Sequence, residues 1–437
     1  MTPFTQRTAL FATLGCKLNF AETSTMARLL ADHGVRRISP GEIPDICVVN
    51  TCSVTGEADK ICRRLIRSLH TRFPKATIIV TGCYAQLAPG DVASIPGVNL
   101  VVGINDKLRI AEFLSRWEQD HADTPEVMDS RSLREFMPSC SRGDRTRYFL
   151  KVQDGCNYWC TYCTIPAARG RSRSGSIDSI VAQAAQVAAD GGKEIVITGV
   201  NIGDFGFGRT DTFLDLIREL DAVEGIERYR ISSIEPNLLT DEIIDFCASS
   251  RRFMPHFHIP LQSGSDSVLK LMHRHYDTAL FRHKVERVRS VMPHAFIGVD
   301  LMVGTRGETD EFFEESKQFL ESLAVSRLHV FTYSERPGTR ALEIPYVVSP
   351  ETKHLRTRQM LAVSEGKLME FSSQFTGTVR PMLVEHETHG RMGGFTDNYL
   401  RVELPDIRPE LANKVVPVRL AALAPDAAHF EGELVLD

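Results

Sequence analysis

The sequence lacks long apolar runs, an excess of positive charge and internal repeats, and each absence excludes a class of protein. No apolar stretch in the 437 residues approaches the length of a membrane span, and residues 9–12 are too short for a signal-peptide core. We therefore expect a cytoplasmic protein with no membrane partner. The net charge of −5 excludes whole-protein attraction to nucleic acid, so any RNA contact must use a local patch. Solenoid periods and low-complexity tracts are also absent.

The composition is that of a globular protein with more than one domain. A chain of 437 residues exceeds the size of one ordinary hydrophobic core, so we expect two or three domains. Hydrophobic residues make up 43% and charged residues 24%, which is typical of globular proteins. Ten cysteines in a reducing compartment favour metal binding or catalysis over disulfides.

One short loop carries three cysteines, Cys156, Cys160 and Cys163, directly after the apolar, β-prone residues 148–152. Three thiolates on one loop can hold three corners of a cubane iron–sulfur cluster, whereas ferredoxin loops normally supply a fourth cysteine. The next cysteine downstream is Cys247, far along the chain. A disulfide set would need an oxidising compartment, and structural zinc would need a fourth ligand at short spacing. The loop therefore predicts a 4Fe–4S cluster with one iron open to a small molecule.

The motif C-x3-C-x2-C after a strand resembles the signature of the radical S-adenosylmethionine (SAM) enzymes. The resemblance implies that the open iron chelates the amino and carboxylate groups of SAM. It further implies that electron transfer into the sulfonium yields a 5′-deoxyadenosyl radical. A flavodoxin-like or ferredoxin-like electron donor is the expected partner for that step.

Residues 6–118 alternate strand and helix, which predicts a doubly wound parallel α/β domain. Three of its predicted strands end just before a cysteine, namely residues 8–14 before Cys16, 46–50 before Cys52 and 76–81 before Cys83. Because the carboxyl ends of parallel strands share one edge, these thiols should converge and can carry a second cluster. The spacing leaves open that they are buried structural thiols, the role expected for Cys47 and Cys62.

The residues around these cysteines, TLGCKLN at 13–19, NTCSVT at 50–55 and TGCYAQ at 81–86, resemble the three motifs of the methylthiotransferase family. The resemblance implies that Cys16, Cys52 and Cys83 ligate an auxiliary 4Fe–4S cluster. Residues 171–174 and 199–206 resemble the branch that acts on N6-threonylcarbamoyladenosine at tRNA position 37, in the anticodon stem-loop. That branch installs a 2-methylthio group with two SAM molecules, one methylating sulfur at the auxiliary cluster and one supplying the radical.

Residues 142–371 resume the alternation with six strands, two short of a complete eight-stranded barrel. The strands are expected at 148–153, 194–200, 228–234, 257–262, 295–303 and 326–333. They predict a partial (β/α)6 barrel like the radical SAM core, with its chemistry at the strand carboxyl ends. The residues expected there to hold SAM are Asn201, Ser233, Gln262 and Asp300. His256 and His258 are expected to be packed or hydrogen-bonded rather than metal ligands.

Residues 373–437 carry short apolar runs punctuated by glycine and proline, which predicts a small antiparallel β-barrel. The segment resembles the TRAM module, an RNA-binding barrel. From residue 374 onward, six Lys and Arg face ten Asp and Glu, so only a local patch can bind RNA. The RNA-binding candidates are Arg380, Arg391 and Tyr399 here, and Arg169 and Arg173 after the cluster loop.

Two alternative functions stay open at this point. One is another methylthiotransferase substrate, either isopentenyladenosine in tRNA or an aspartate of a ribosomal protein. The other is a two-cluster electron-transfer protein without catalysis.

Sulfur insertion into an unactivated aromatic C–H requires both clusters at one cavity, so the strand-end edges of the first two domains should face each other.

Overall fold

The computed structural model describes residues 7–120, 127–143 and 146–435. Residues 1–6 and Arg145 of the polar linker lie outside the described residues. No helix in the described part of the chain is long and apolar enough to cross a bilayer.

The first ten elements form the N-terminal unit, in the order β1 Arg7–Thr13, α1 Lys17–Asp32, β2 Val35–Arg37, β3 Ile46–Thr51, α2 Gly56–Arg72, β4 Thr77–Gly82, α3 Cys83–Leu87, α4 Pro89–Ala93, β5 Val98–Val102 and α5 Ile110–Asp120. All strand pairs are parallel, in the order β2-β1-β3-β4-β5. One face packs on α1 and α5, and the other on α2, α3 and α4. The predicted doubly wound sheet is confirmed, with β2 and β5 as edge strands that the sequence analysis missed.

The central elements are β6 Arg147–Lys151, β7 Gln153–Asp154, α6 Ile165–Arg169, β8 Arg173–Ser174, α7 Ile177–Ala189, β9 Glu194–Thr198, α8 Phe213–Asp221, β10 Arg228–Ile231, α9 Asp241–Ser249, β11 His256–Gln262, α10 Asp266–Leu271, α11 Thr278–Val291, β12 Phe296–Val303, α12 Asp310–Ser322, β13 Arg327–Thr332 and α13 Pro350–Ser373. Six of these strands form two parallel sheets, β10-β9-β6 and β11-β12-β13. A bridge between Ser233 and His258 joins the sheets. The result is the predicted open, six-stranded partial barrel.

Helix α1 of the N-terminal unit lies against the inner face of this open barrel. Alternate side chains of β6 and β9, such as Leu150 and Ile197, pack outward into the helical layer. Phe149 and Val196 therefore face inward, where they contact Ala21 and Phe20 of α1. The first residue of α1 consequently enters the lumen of the barrel.

The last strands, β14 Val379–Val384, β15 Gly393–Thr396, β16 Arg401–Glu403, β17 Val415–Leu423 and β18 Phe430–Leu434, close into a five-stranded barrel. The predicted small barrel is confirmed: four of its strand pairs are antiparallel, and the pair β16 and β18 is parallel. Arg228 and Arg230 of β10 donate to the carbonyls of Phe395 and Thr396. These bonds hold the small barrel against the amino ends of the central strands.

A buried ionic network fixes the N-terminal unit to the central barrel. Arg169 is 1% exposed and donates to both carboxylate oxygens of Glu22, at 2.9 and 3.1 Å, and to Asp154 at 3.0 Å. Lys107 and Lys151 also bind Glu22. Burial alone would raise the pKa of Glu22, but Arg169, Lys107 and Lys151 hold it well below its ordinary range. Glu22 is therefore ionised at neutral pH, and the stabilisation is lost only in strong acid.

Replacing Glu22 should loosen this interface. Glu22→Gln leaves three buried cations with too little negative charge, which costs about 3–5 kcal/mol. Thermal unfolding should therefore show a clearly lower midpoint. The control is Glu57→Gln, whose ion pair with Lys60 on α2 is exposed and contributes less than about 1 kcal/mol. Equal midpoints for the two variants would show that the network contributes little.

Candidate active site

The three-cysteine loop is held in a fixed shape by backbone contacts on both sides. Gly155 has a φ of +71°, and a side chain there would lie 2.1 Å from the carbonyl oxygen of Arg171. The amide of Cys156 donates to the carbonyl of Gly170, and that of Cys163 to the carbonyl of Cys160. The amide of Thr161 donates to the carbonyl of Met272. The sequence therefore positions the three sulfur atoms before any ligand arrives.

Each of the three sulfurs accepts one hydrogen bond. The amides of Tyr158 and Ile165 donate to the sulfurs of Cys156 and Cys163 at 3.4 Å. Arg274 donates to the sulfur of Cys160 at 3.2 Å. Burial raises the pKa of Cys156 and Cys163 to about 12, so these groups are thiols unless iron binds them. Hydrogen bonds to sulfur are one of the means by which proteins set the reduction potential of an iron–sulfur cluster. The three donors found here fit such a cluster.

The second set of thiols gathers at the carboxyl ends of β1, β3 and β4, which are neighbours in the sheet. A side chain at Gly15, with φ +100°, would lie 2.8 Å from Cβ of Cys52. Burial raises the pKa of the Cys52 thiol to about 11, and the nearby thiols of Cys83 and Cys16 also raise it. Among the described residues, no three His, Cys, Asp or Glu side chains are placed to hold a single metal ion. The sheet order nevertheless brings Cys16, Cys52 and Cys83 to one edge, as the sequence predicts.

Positive charge is in surplus beside Cys83. The buried network around Glu22 and Asp154 contains four cations and two carboxylates, the cations being Lys107, Lys151, Arg169 and Arg173. Burial raises the pKa of the Cys83 thiol, and Arg169 and Lys107 lower it. An anionic cluster would complete this charge balance. The assignment of Cys16, Cys52 and Cys83 to a cluster stays a prediction that the geometry fits.

A cavity of about 310 Å³ lies beside the three-cysteine loop. Its wall includes Cys156, Cys160 and Cys163 on one side, and Val54 and Thr55, which follow Cys52, on the other. The two units are tied together here because the amide of Gly56 donates to the hydroxyl of Ser334 and the hydroxyl of Thr164 donates to the carbonyl of Ser53. The strand-end edges of the two units thus face one cavity, as the sequence predicts.

All four residues expected to hold SAM lie on the cavity wall: Asn201, Ser233, Gln262 and Asp300. Asn201 is 3% exposed, and neither polar atom of its side chain has a hydrogen-bond partner among the described residues. Gln262 has a φ of +71° at a bulge in β11. An unsatisfied buried amide costs free energy, and a polar ligand in the cavity would satisfy the side chain of Asn201.

Of the five side chains predicted to contact RNA, four make contacts inside the protein, and the prediction is wrong for Arg169, which is 1% exposed. Arg169 is buried in the ionic network, and Arg173 donates to Asp154. Arg380 is paired with Asp397 through two hydrogen bonds. Tyr399 packs between Phe395 and His256, with ring centroids 4.8 and 4.2 Å away.

Arg391 alone of the five candidates remains outward-facing, with 69% of its side chain exposed beside Glu403.

Arg274 and Glu235 form a buried ion pair on the cavity wall. Glu235 lies two residues after Ser233, at the strand end that the sequence analysis singled out. Sequence reasoning missed Arg274, because it follows α10, away from the cysteine motifs and the strand ends. His258 is hydrogen-bonded to Asp300 at 2.7 Å, in agreement with the expected packed role. No other metal-ligand set accompanies these histidines in the described part of the chain.

Comparison with known proteins identifies the class of this site. The radical SAM superfamily profile matches residues 150–320, and the profile of uncharacterized protein family UPF0004 matches residues 8–103. The solved radical S-adenosylmethionine methyltransferase TsrM from Kitasatospora setae superposes with a TM-score of 0.57. It covers 89% of this chain and 77% of that chain at 14% identity, a similarity of fold alone. Fold and profile together define a radical SAM enzyme.

Curated relatives narrow the class. Threonylcarbamoyladenosine tRNA methylthiotransferase MtaB of Bacillus subtilis (strain 168) is 37% identical over 98% of this chain and 96% of the relative. MtaB of Aquifex aeolicus is 34% identical over 90% of this chain and 95% of the relative. The tRNA-2-methylthio-N(6)-dimethylallyladenosine synthase of Syntrophotalea carbinolica is 30% identical over 93% of this chain and 95% of the relative. The chain therefore belongs to the methylthiotransferase family of radical SAM enzymes, whose cofactors are SAM and 4Fe–4S clusters.

Removing each cysteine set should remove one cluster. The triple variants Cys16/Cys52/Cys83→Ala and Cys156/Cys160/Cys163→Ala should each retain about four of about eight iron atoms after anaerobic reconstitution. Iron and sulfide quantification is the measurement. The matched control is Cys47/Cys62/Cys247→Ala, which removes three buried thiols outside both sets and should keep all the iron. A triple that keeps all its iron would exclude its cysteines as ligands.

Removing the Asn201 amide should weaken SAM binding. Asn201→Ala deletes a buried donor and acceptor on the cavity wall, so the Kd for SAM should rise about 5- to 30-fold. Equilibrium dialysis of reconstituted protein measures this, and iron content verifies the cluster. Asn105→Ala, outside the cavity, is the control. An unchanged Kd would show that Asn201 does not contact SAM.

Proposed function

We propose that this enzyme converts N6-threonylcarbamoyladenosine at position 37 of tRNA to its 2-methylthio derivative. The single observation that carries the proposal is a cavity whose wall joins the three-cysteine loop to Val54 and Thr55, the residues that follow Cys52 of the second set of thiols. Relatives named for this reaction are 33–37% identical to the chain, while those named for dimethylallyladenosine are 30–32% identical. Sulfur insertion at an unactivated carbon needs a radical source and a sulfur source within reach of one base.

When bound, the cluster at Cys156, Cys160 and Cys163 supplies the electron that makes the radical from SAM, and the cluster at Cys16, Cys52 and Cys83 supplies the site for sulfur. The chain's own residues position the reactants. Asn201, Ser233 and Gln262 offer polar groups on the wall to orient SAM. Arg274 holds Cys160 and Glu235 together, which keeps positive charge beside the cluster.

The target base must leave its helical stack to enter the cavity. Single-stranded loops present bases in this way, and aromatic side chains commonly receive them. Phe331 lies on the cavity wall and is 49% exposed, and Trp159 of the cluster loop is 46% exposed. These two rings favour an anticodon stem-loop as the RNA partner. The barrel of β14–β18 contributes only Arg391 among the predicted contacts, so its main role is to pack against the central barrel.

The remaining partners follow from this chemistry. A one-electron donor of flavodoxin or ferredoxin type must reach the cluster loop, whose Trp159 edge is exposed. The substrate of the enzyme, tRNA, is a cytoplasmic molecule, which supports a cytoplasmic location for the enzyme.

The proposal is tested by nucleoside mass spectrometry of tRNA from a deletion strain. The 2-methylthio form of N6-threonylcarbamoyladenosine should disappear and return on complementation with the intact gene, but not with the Cys156/Cys160/Cys163→Ala triple. An unchanged level in the deletion strain would refute the substrate assignment. In vitro, SAM and reductant should yield 5′-deoxyadenosine, and no cleavage would favour a non-catalytic electron-transfer role.

A further inference from the structure

Helix α2 of the N-terminal unit carries a line of positive charge on its solvent face. Lys60, Arg64 and Arg67 follow one another at spacings of four and three residues, so they share one side of the helix, and all three are exposed. We call these three residues the basic stripe. The chain as a whole has a net charge of −5, so this surface is a local departure from the charge of the protein.

The cations of the basic stripe have almost no partners within the protein. The guanidinium groups of its two arginines make no hydrogen bond or ion pair with any residue that the structure describes. Lys60 is paired only with Glu57, at 3.4 Å, and more than half of each side chain is exposed. The other carboxylate of the helix, Asp59, is buried and bound by Arg336 of the central unit at 2.6 Å. The exposed face of α2 therefore keeps a net positive charge.

Helix α11 shows how the chain treats cations that serve packing. It is also basic, but all four of its lysines and arginines are bound by the protein. Lys284 pairs with Asp241 at 2.7 Å, and Arg289 donates to the carbonyl of Ala324 at 2.7 Å. The other two arginines donate to side chains of neighbouring helices. The basic stripe lacks such contacts, so packing does not account for it.

The charges of the basic stripe also work against the helix that carries them. Like charges three or four residues apart on a helix repel one another and destabilise it. Cations are favourable in the last turn of a helix, where α2 has His70 and Arg72, but the stripe lies before that turn. Because the chain does not offset this repulsion, the stripe favours an anionic partner from outside the protein.

The basic stripe starts near the mouth of the active-site cavity. Thr55 is the N-cap of α2 and lies on the cavity wall beside Val54, whose side chain is exposed. The first residue of the helix, Gly56, is fixed there because its amide donates to the hydroxyl of Ser334 at 3.1 Å. Between its first and last residue the stripe rises about 10 Å along the helix, away from the cavity. A polyanion whose end enters the cavity can therefore lie along the stripe.

We propose that the basic stripe binds the sugar–phosphate backbone of the anticodon stem while the target base occupies the cavity. The inference rests on the proposed tRNA substrate and adds the surface that holds it. Phosphate contacts fix the position of a nucleic acid without reading its sequence, and the forked donors of arginine suit them. The stripe provides the local positive patch that a protein with negative net charge needs for RNA binding.

An acidic electron donor is the other partner that a basic surface can attract. The geometry favours RNA, because an electron has to reach the three-cysteine loop, which belongs to the central unit. The basic stripe instead belongs to the N-terminal unit and begins two turns after Cys52. Electron delivery and RNA binding can be separated by experiment, since dithionite replaces a protein donor.

The test removes the basic stripe and measures RNA binding. The variant is Lys60→Gln/Arg64→Gln/Arg67→Gln, and Arg64→Lys/Arg67→Lys keeps the charge. A matched control removes three exposed cations of the central unit that lie outside the cavity wall: Arg218→Gln/Arg251→Gln/Arg358→Gln. Anaerobic fluorescence anisotropy of the reconstituted proteins gives the Kd at several salt concentrations. The RNAs are an anticodon stem-loop and the same loop strand without its stem.

Removing the stripe should raise the Kd for the stem-loop about 10- to 100-fold at moderate salt, because up to three phosphate contacts are lost. The dependence of log Kd on log salt concentration should become shallower by about 2–3, since each phosphate contact contributes about one to the slope. The Kd for the loop without its stem should change little. The control and the Arg→Lys variant should retain most of the wild-type affinity for both RNAs.

The stripe variant should fold as well as wild type. Its thermal midpoint should be equal or higher, because repulsion between like charges on α2 is removed. Its iron and sulfide content should stay the same. A clearly lower midpoint would show that contacts within the protein hold these cations, which would contradict the inference.

Two further results would overturn the inference. If the stripe variant binds the stem-loop with the wild-type Kd and salt dependence, the stripe does not contact the RNA. If RNA binding is unchanged while SAM cleavage slows with a flavodoxin donor but not with dithionite, the surface serves the electron donor instead. Failure of the proposed substrate is a separate outcome. If wild type modifies only an isopentenyladenosine stem-loop, weaker binding of that RNA by the stripe variant would still support the inference.

Discussion

The buried ionic network centred on Glu22 is the contact on which the active site depends. One carboxylate from α1 binds three cations, Arg169, Lys107 and Lys151, and these come from both units of the protein. Removing one charge from the network would leave the other charges buried without a partner, which is unfavourable at low dielectric. The network therefore favours a single arrangement of the two units. That arrangement sets the distance between the two sets of thiols and so the width of the cavity.

Buried charges have two different uses in this protein. Beside Cys83, four cations face two carboxylates, which suits an anionic inorganic group. At the amino ends of the central strands, Arg228 and Arg230 share Glu194 and also bind the small barrel, which serves domain packing.

The incompleteness of the barrel also serves a purpose. Two three-stranded sheets leave an open side, and α1 occupies the inner face there through Ala21 and Phe20. The small barrel of β14–β18 covers the amino ends of the strands, where Arg228 and Arg230 bind its carbonyl groups. Access to the cavity is therefore from the carboxyl ends, and the exposed side chains of Val54 and Phe331 mark that side.

The sequence by itself determined the fold class, the six central strands and the two sets of cysteines, because each depends on local periodicity and on the shared edge of parallel strands. It also placed Asn201 and Asp300 on the cavity wall by the same rule. Only the tertiary structure decided what the charged residues do. Arg169 reads as a surface arginine beside the cluster loop, but Glu22, 147 positions away, buries it. Tyr399 likewise packs between Phe395 and His256, because long-range packing, which local sequence does not encode, chooses the partner of a side chain.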